Sequence, residues 1–81
     1  MRLRILLITE NSERALLIEQ ALAGAHHQVV AAIRPDDDLM LYVQQAQPDA
    51  LIAELDAPSP DFLERLRRLD EQQPRPVVVF T

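Results

Sequence analysis

No cysteine occurs in these 81 residues, which excludes a disulfide framework and any thiolate metal site. Glycine occurs once, at Gly24, so there is no glycine-rich loop to cradle a phosphate. Long apolar runs are missing as well. Ile5 to Ile8 and Val77 to Phe80 have the length of strands and are far too short to span a bilayer. The segment from Met1 to Glu10 lacks a small-residue cleavage site, so no signal peptide is expected and the expected location is the cytoplasm. Nor is there a basic block. Arg65, Arg67, Arg68 and Arg75 fall in one region but alternate with Asp61, Glu64, Asp70 and Glu71, and the formal net charge is −5. Such a chain is a poor ligand for phosphate backbones, and direct nucleic-acid binding by these residues is not expected. No serine–histidine–acid spacing supports hydrolase chemistry.

What is present is a globular composition, 48% hydrophobic and 26% charged, without repeats, linkers or low-complexity runs. Ordering one small domain of this size costs on the order of 100 kcal/mol of conformational entropy, so nearly every apolar residue must find cover. Arg2 to Thr9 reads as a buried strand. Asn11 or Ser12 is positioned to cap the helix that follows, with Glu13 in its first turn. Ala15, Ile18, Leu22 and Ala25 mark that helix's apolar stripe, widened by Leu16, Leu17 and Ala21. Gly24 suits a left-handed cap at its end. Gln28 to Ile33 reads as a second strand. Asp36, Asp37 and Asp38 then serve as cap and dipole partners for a helix whose face is Leu39, Tyr42, Val43 and Ala46 and which Pro48 terminates. Ser59 and Pro60 open a third helix with Phe62, Leu66 and Leu69 on its inner face and Leu63 beside them. Gln73 to Pro76 is a stiff connector to a fourth strand, Val77 to Phe80.

The stretch between Pro48 and Pro58 organises the rest. As a strand over Ala50 to Leu55, it sends Leu51, Ala53 and Leu55 to one face and Ala50, Ile52 and Glu54 to the other. Glu54 thus sits near the carboxyl end of an otherwise apolar strand, the end where ligands gather in open α/β sheets. The order β-α-β-α-β-α-β predicts an α/β fold: a three-layer parallel sheet with right-handed crossovers and strand order 2-1-3-4.

In order and spacing these residues resemble the first two-thirds of a response-regulator receiver domain, an incomplete flavodoxin-like fold over residues 1–81. Ile5 to Ile8 lead into Thr9 and Glu10, where receivers carry an acidic pair. Glu54 stands at the phosphoacceptor position, Pro58 at the loop proline four residues on, and Thr81 at the switch hydroxyl closing the fourth strand. More narrowly, Arg4 to Ile8 and Gln73 to Thr81 are similar to the NasT/AmiR branch, antiterminators with a receiver-like half and an RNA-binding ANTAR half. The helix, the lysine-bearing fifth strand and the last helix of a receiver are lacking, so the expectation is a C-terminally truncated piece of a longer regulator.

The resemblance implies a divalent cation, magnesium, for which Glu10 and Glu54 would supply carboxylates and the Asp56 main-chain carbonyl would complete the set. Two departures argue against it. Thr9 removes one acid, and Glu54, one methylene longer than aspartate, displaces its oxygens from the place the metal prefers. The expected state is therefore a pseudo-receiver with no resident cofactor and no enzymatic activity, in which Glu54 is a fixed negative charge. It would serve antitermination in nitrogen or nitrate regulation through contacts with a sensor or regulatory protein, touching RNA only through a further C-terminal domain. A phosphorylatable receiver and a structural dimerisation module are the alternatives, and Glu54 and Glu10 as solvated strand-end acids is the plainest one. The apolar fourth strand is expected to pair copies of the chain. His26 and His27 read as a solvated turn, since neighbours on an extended segment diverge. The arginines of residues 65–75 read as a solvated helix face, with a partner-binding edge as the alternative.

Overall fold

A computed structural model describes residues 1–80; Thr81, and with it the expected switch hydroxyl, lies outside the described residues. The elements are β1 (Arg4–Thr9), α1 (Ser12–Gly24), β2 (Gln28–Ile33), α2 (Leu39–Ala46), β3 (Ala50–Glu54), α3 (Pro60–Gln72) and β4 (Val77–Phe80). The strands form one parallel sheet in the order β2-β1-β3-β4, as the pattern of elements predicts. β1 starts two residues later than its apolar pattern suggests, and β3 ends one residue earlier, at Glu54. Among the described residues no helix is long and apolar enough to cross a membrane.

Alternation along the strands divides the core in two. Leu6 and Ile8 of β1, Ile33 of β2, and Leu51 and Ala53 of β3, with Leu55 just beyond, pack against Leu39 and Val43 of α2 and Phe62 and Leu69 of α3. The chain reverses its direction of travel across the sheet after β2. With right-handed crossovers, α1 must therefore lie on the other face from α2 and α3. There Ile5, Leu7 and Thr9 are buried, while Ala15, Ile18 and Leu22 of α1 are only half-covered. Leu16 and Leu17, expected to widen the stripe, are exposed at 54% and 65%. α1 contacts β1 and β2 but does not extend over the β3–β4 half of the sheet. That is why a helix of good apolar spacing contributes no fully buried residue.

The helix starts follow local chemistry. Asn11 Oδ1 accepts from the Arg14 N–H, Asp38 Oδ1 from the Leu41 N–H, and Ser59 Oγ from the Phe62 N–H, with Pro60 opening α3. The end of α1 differs from expectation. Gly24 stays helical, and the left-handed residue is His26, at φ 66°. The His27 N–H reaches Leu22 O at 2.8 Å and the His26 N–H reaches Ala23 O at 3.0 Å, the paired bonds of a Schellman ending. This turn needs a left-handed residue two positions after Gly24, and histidine supplies it with strain. His26→Gly is expected to stabilise the fold by about 1 kcal/mol, read as a higher urea midpoint at unchanged slope. His27 is not simply solvated: its Nδ1 accepts from the Leu3 N–H at 3.0 Å and fixes the entry to β1.

The arginines of residues 65–75 do not form one edge. Arg65 donates to Pro35 O at 2.9 Å and ties α3 to the turn before α2. Arg75 donates to Pro48 O at 2.7 Å and to Gln47 Oε1, fastening the connector before β4 to the start of β3. Arg67 pairs with Glu64 and Glu71 along the solvated face of α3, and Arg68 with Glu64. The hydrogen bond from Arg67 holds the Glu64 carboxyl below its usual value.

Candidate functional site

The carboxyl ends of β1 and β3 meet where the chain's two crossovers part to opposite faces, the topological switch point of a doubly wound sheet. Register sets what meets there. Thr9 pairs level with Glu54, and Glu54 with Phe80, so the ends of β1, β3 and β4 form one row. Thr9 is the buried polar residue of the described chain, at 7% exposure. Its hydroxyl donates to Glu54 Oε2 at 3.1 Å and accepts from the Asn11 N–H at 3.1 Å, so one group closes β1 and starts α1.

The other oxygen of Glu54 is also engaged. Arg14, in the first turn of α1, donates from Nη1 to Glu54 Oε1 at 2.6 Å and to Asp56 Oδ1 at 3.2 Å. Glu54's side chain is 17% exposed, whereas Arg14 and Asp56 are open to solvent at 51% and 83%. The hydrogen bond to Glu54, followed by that to Asp56, raises the Arg14 pKa above its ordinary value, so the guanidinium stays charged. A cation in the first turn of a helix opposes the macrodipole. The two carboxylates opposite it supply the reason for its place.

Glu54 and Asp56 therefore come together, with Thr9, about a residue the sequence patterns did not single out. A basic residue in the first turn, where acids are favoured, is the signal that could have found it. Glu10 does not join them. It is exposed and lines two shallow clefts, one with Arg34, Ser59, Asp61 and Arg65 and one with Thr9, Ser12 and Arg34. Among the described residues, no group of three or more acidic or histidine side chains gathers as a metal site. Of the ligand set expected from Glu10, Glu54 and the Asp56 main-chain carbonyl, the Glu54 carboxylate is engaged by Arg14, which also bonds the Asp56 side chain, and Glu10 does not gather with them into an acidic cluster. Magnesium binds through one or two carboxylates and several waters, in near-ideal octahedral geometry at about 2.1 Å. Here both Glu54 oxygens are already held, one by the Thr9 hydroxyl and one by the Arg14 guanidinium, so the residues present do not fit it.

The fold is a flavodoxin-like, receiver-like α/β fold. No protein-family model matches the chain, and no curated protein does. Among solved structures it is similar to the crystal structure of the response regulator PhyR from Brucella abortus, with a TM-score of 0.82 and 21% sequence identity. The match covers 98% of this chain and 33% of that one, so the chain spans about a third of that protein's length. At this level of identity the likeness establishes the fold.

Proposed function

We propose that this chain is a receiver-like signalling module that works without phosphorylation: a non-enzymatic pseudo-receiver of a transcription antiterminator in nitrogen or nitrate regulation. The observation that carries the reading is that both oxygens of Glu54 are committed, one to Thr9 and one to Arg14, at the site where a receiver would accept phosphate. A carboxylate so engaged is a poor nucleophile, and a guanidinium already neutralises its charge. The response-regulator description of PhyR supports a signalling role. The nitrogen-regulatory branch rests on the likeness of Arg4 to Ile8 and Gln73 to Thr81 to the NasT/AmiR type. In that reading a sensor or regulatory protein is the partner, and an ANTAR segment, not these residues, contacts RNA. Intact-mass spectrometry after incubation with magnesium and a small-molecule phosphodonor, beside a Glu54→Gln control, tests it. No adduct is expected on either chain. A phosphoryl adduct on the native chain that the control lacks would overturn the reading in favour of a working phosphoreceiver.

For the 81-residue piece itself, and not for a longer regulator, the expected contact surface is the outer edge of β4, and its occupant is a second copy of the chain. Val77, Val78, Val79 and Phe80 are all exposed, at 38–54%, and none carries charge. Two such edges related by a twofold axis are self-complementary, offering each other the same row of backbone donors and acceptors. Light scattering over a concentration series should show mass rising towards a dimer; a strictly monomeric species throughout would sink the self-pairing.

A further inference from the structure

The receiver-like fold brings with it the expectation of a divalent cation, and the residues at the switch point do not fit one. We infer that Arg14 is the resident cation of this site: a guanidinium built into α1 that takes the place of the metal and keeps metals out. The inference rests on the proposed reading of Glu54 as a fixed, unphosphorylated carboxylate and adds how that charge is held.

Three observations carry it. A single nitrogen, Arg14 Nη1, lies 2.6 Å from a Glu54 oxygen and 3.2 Å from an Asp56 side-chain oxygen, so one positive centre holds the carboxylate a metal would need and the acid two residues beyond it. The remaining Glu54 oxygen takes the Thr9 hydroxyl, which carries no charge to offer a metal. Glu10, the acid next in sequence to Thr9, contributes nothing to the cluster. The net effect is one cation against two carboxylates, assembled without a cofactor. It fastens the first turn of α1 to the loop between β3 and α3 whatever the magnesium concentration. In a metal-dependent site those same elements would be joined only when the ion is bound. Here the join is part of the fold.

Manganese, whose paramagnetism reports weak binding, is the probe. In the native chain, millimolar manganese should broaden the amide signals of Thr9 and Glu54 no more than those of the surface at large, and magnesium should leave the melting temperature unchanged. In Arg14→Met, which keeps the unbranched stem and the helix propensity but not the charged end, manganese affinity at this site should rise about tenfold or more. Removing a unit charge about 4 Å from a cation changes affinity by about fivefold with water-like screening and by far more at the lower effective dielectric of a partly buried site, which makes tenfold a modest expectation. Arg14→Lys, which keeps the charge, should bind manganese as weakly as the native chain. The inference is overturned if the native chain binds manganese at Thr9 and Glu54 as tightly as Arg14→Met does, or if the Lys variant gains as much affinity as the Met variant. Should Arg14→Met fail to fold, the native chain and Arg14→Lys still decide: site-specific broadening in either one overturns the inference, and its absence in both upholds it. These results are separate from the phosphodonor test. Metal binding without an adduct would remove the role of Arg14 and leave the pseudo-receiver reading intact.

Discussion

Phe62→Ala is expected to lower stability by about 3–5 kcal/mol, the largest effect of any single substitution considered for this fold. Phe62 is 2% exposed and belongs to the core between the sheet and the α2–α3 layer, together with Leu69, Leu55 and Val43. It lies in the first turn of α3, where the Ser59 hydroxyl holds its own backbone N–H at 3.1 Å. The cap and the ring therefore act at one residue: the cap fixes where the helix begins, and the ring fixes how it docks. At roughly 0.05–0.15 kcal/mol per residue, a domain of this size has about 4–12 kcal/mol in total, so the truncation removes a large share. Urea unfolding measures it. The midpoint should fall sharply for Phe62→Ala and much less for Phe62→Leu, which keeps most of the volume and should cost less than about 1.5 kcal/mol. An unchanged midpoint for the alanine variant would mean that α3 does not pack as described.

The second large effect concerns the site. Thr9→Val preserves shape and burial but removes a hydroxyl that both donates and accepts. It leaves the Asn11 N–H and Glu54 Oε2 each short of a partner, and a group left unsatisfied by such a deletion costs about 1–3 kcal/mol. Among the described residues no buried side-chain polar atom lacks a hydrogen-bond partner, so the substitution would break an otherwise complete network. Thr9→Ser keeps the hydroxyl and gives up one methyl, about 0.8 kcal/mol. The expected order of stability is Thr9, then serine, then valine, read from denaturant midpoints. Valine equal to threonine would show that the hydroxyl does not join β1 to Glu54.

On the α2–α3 side Leu39, Val43, Phe62 and Leu69 are buried, while Val77 and Val79 of β4 stay exposed. The α1 side is different: Leu16 and Leu17 are exposed, as are Val78 and Phe80 of β4.

Element order, the caps at Asp38 and Ser59, the inner faces of α2 and α3, and the placing of Glu54 on the strand face opposite Leu51 and Ala53 were all determined by the sequence alone. Each rests on a period of 2 or 3.6 residues, or on a side chain bonding to backbone three residues away, and such signals survive without knowledge of distant neighbours. Strand order was legible for a related reason, since right-handed crossovers leave few ways to arrange four parallel strands. Tertiary structure decided the rest. Arg14 meets Glu54 and Asp56 across 40 and 42 residues of chain, and Leu3 meets His27 across 24. These contacts exist only because the β1–β3 register sets Thr9 level with Glu54 and brings the start of α1 above both. The same closure leaves Glu10 outside the cluster although it adjoins Thr9 in sequence, because the chain turns there from strand to helix. It also leaves part of α1's apolar stripe in solvent, since a helix buries only as much as the sheet beneath it covers. Whether the acids at the switch point face a metal or an arginine was therefore a question of which residues the fold brings within hydrogen-bonding distance, and no local pattern encodes that.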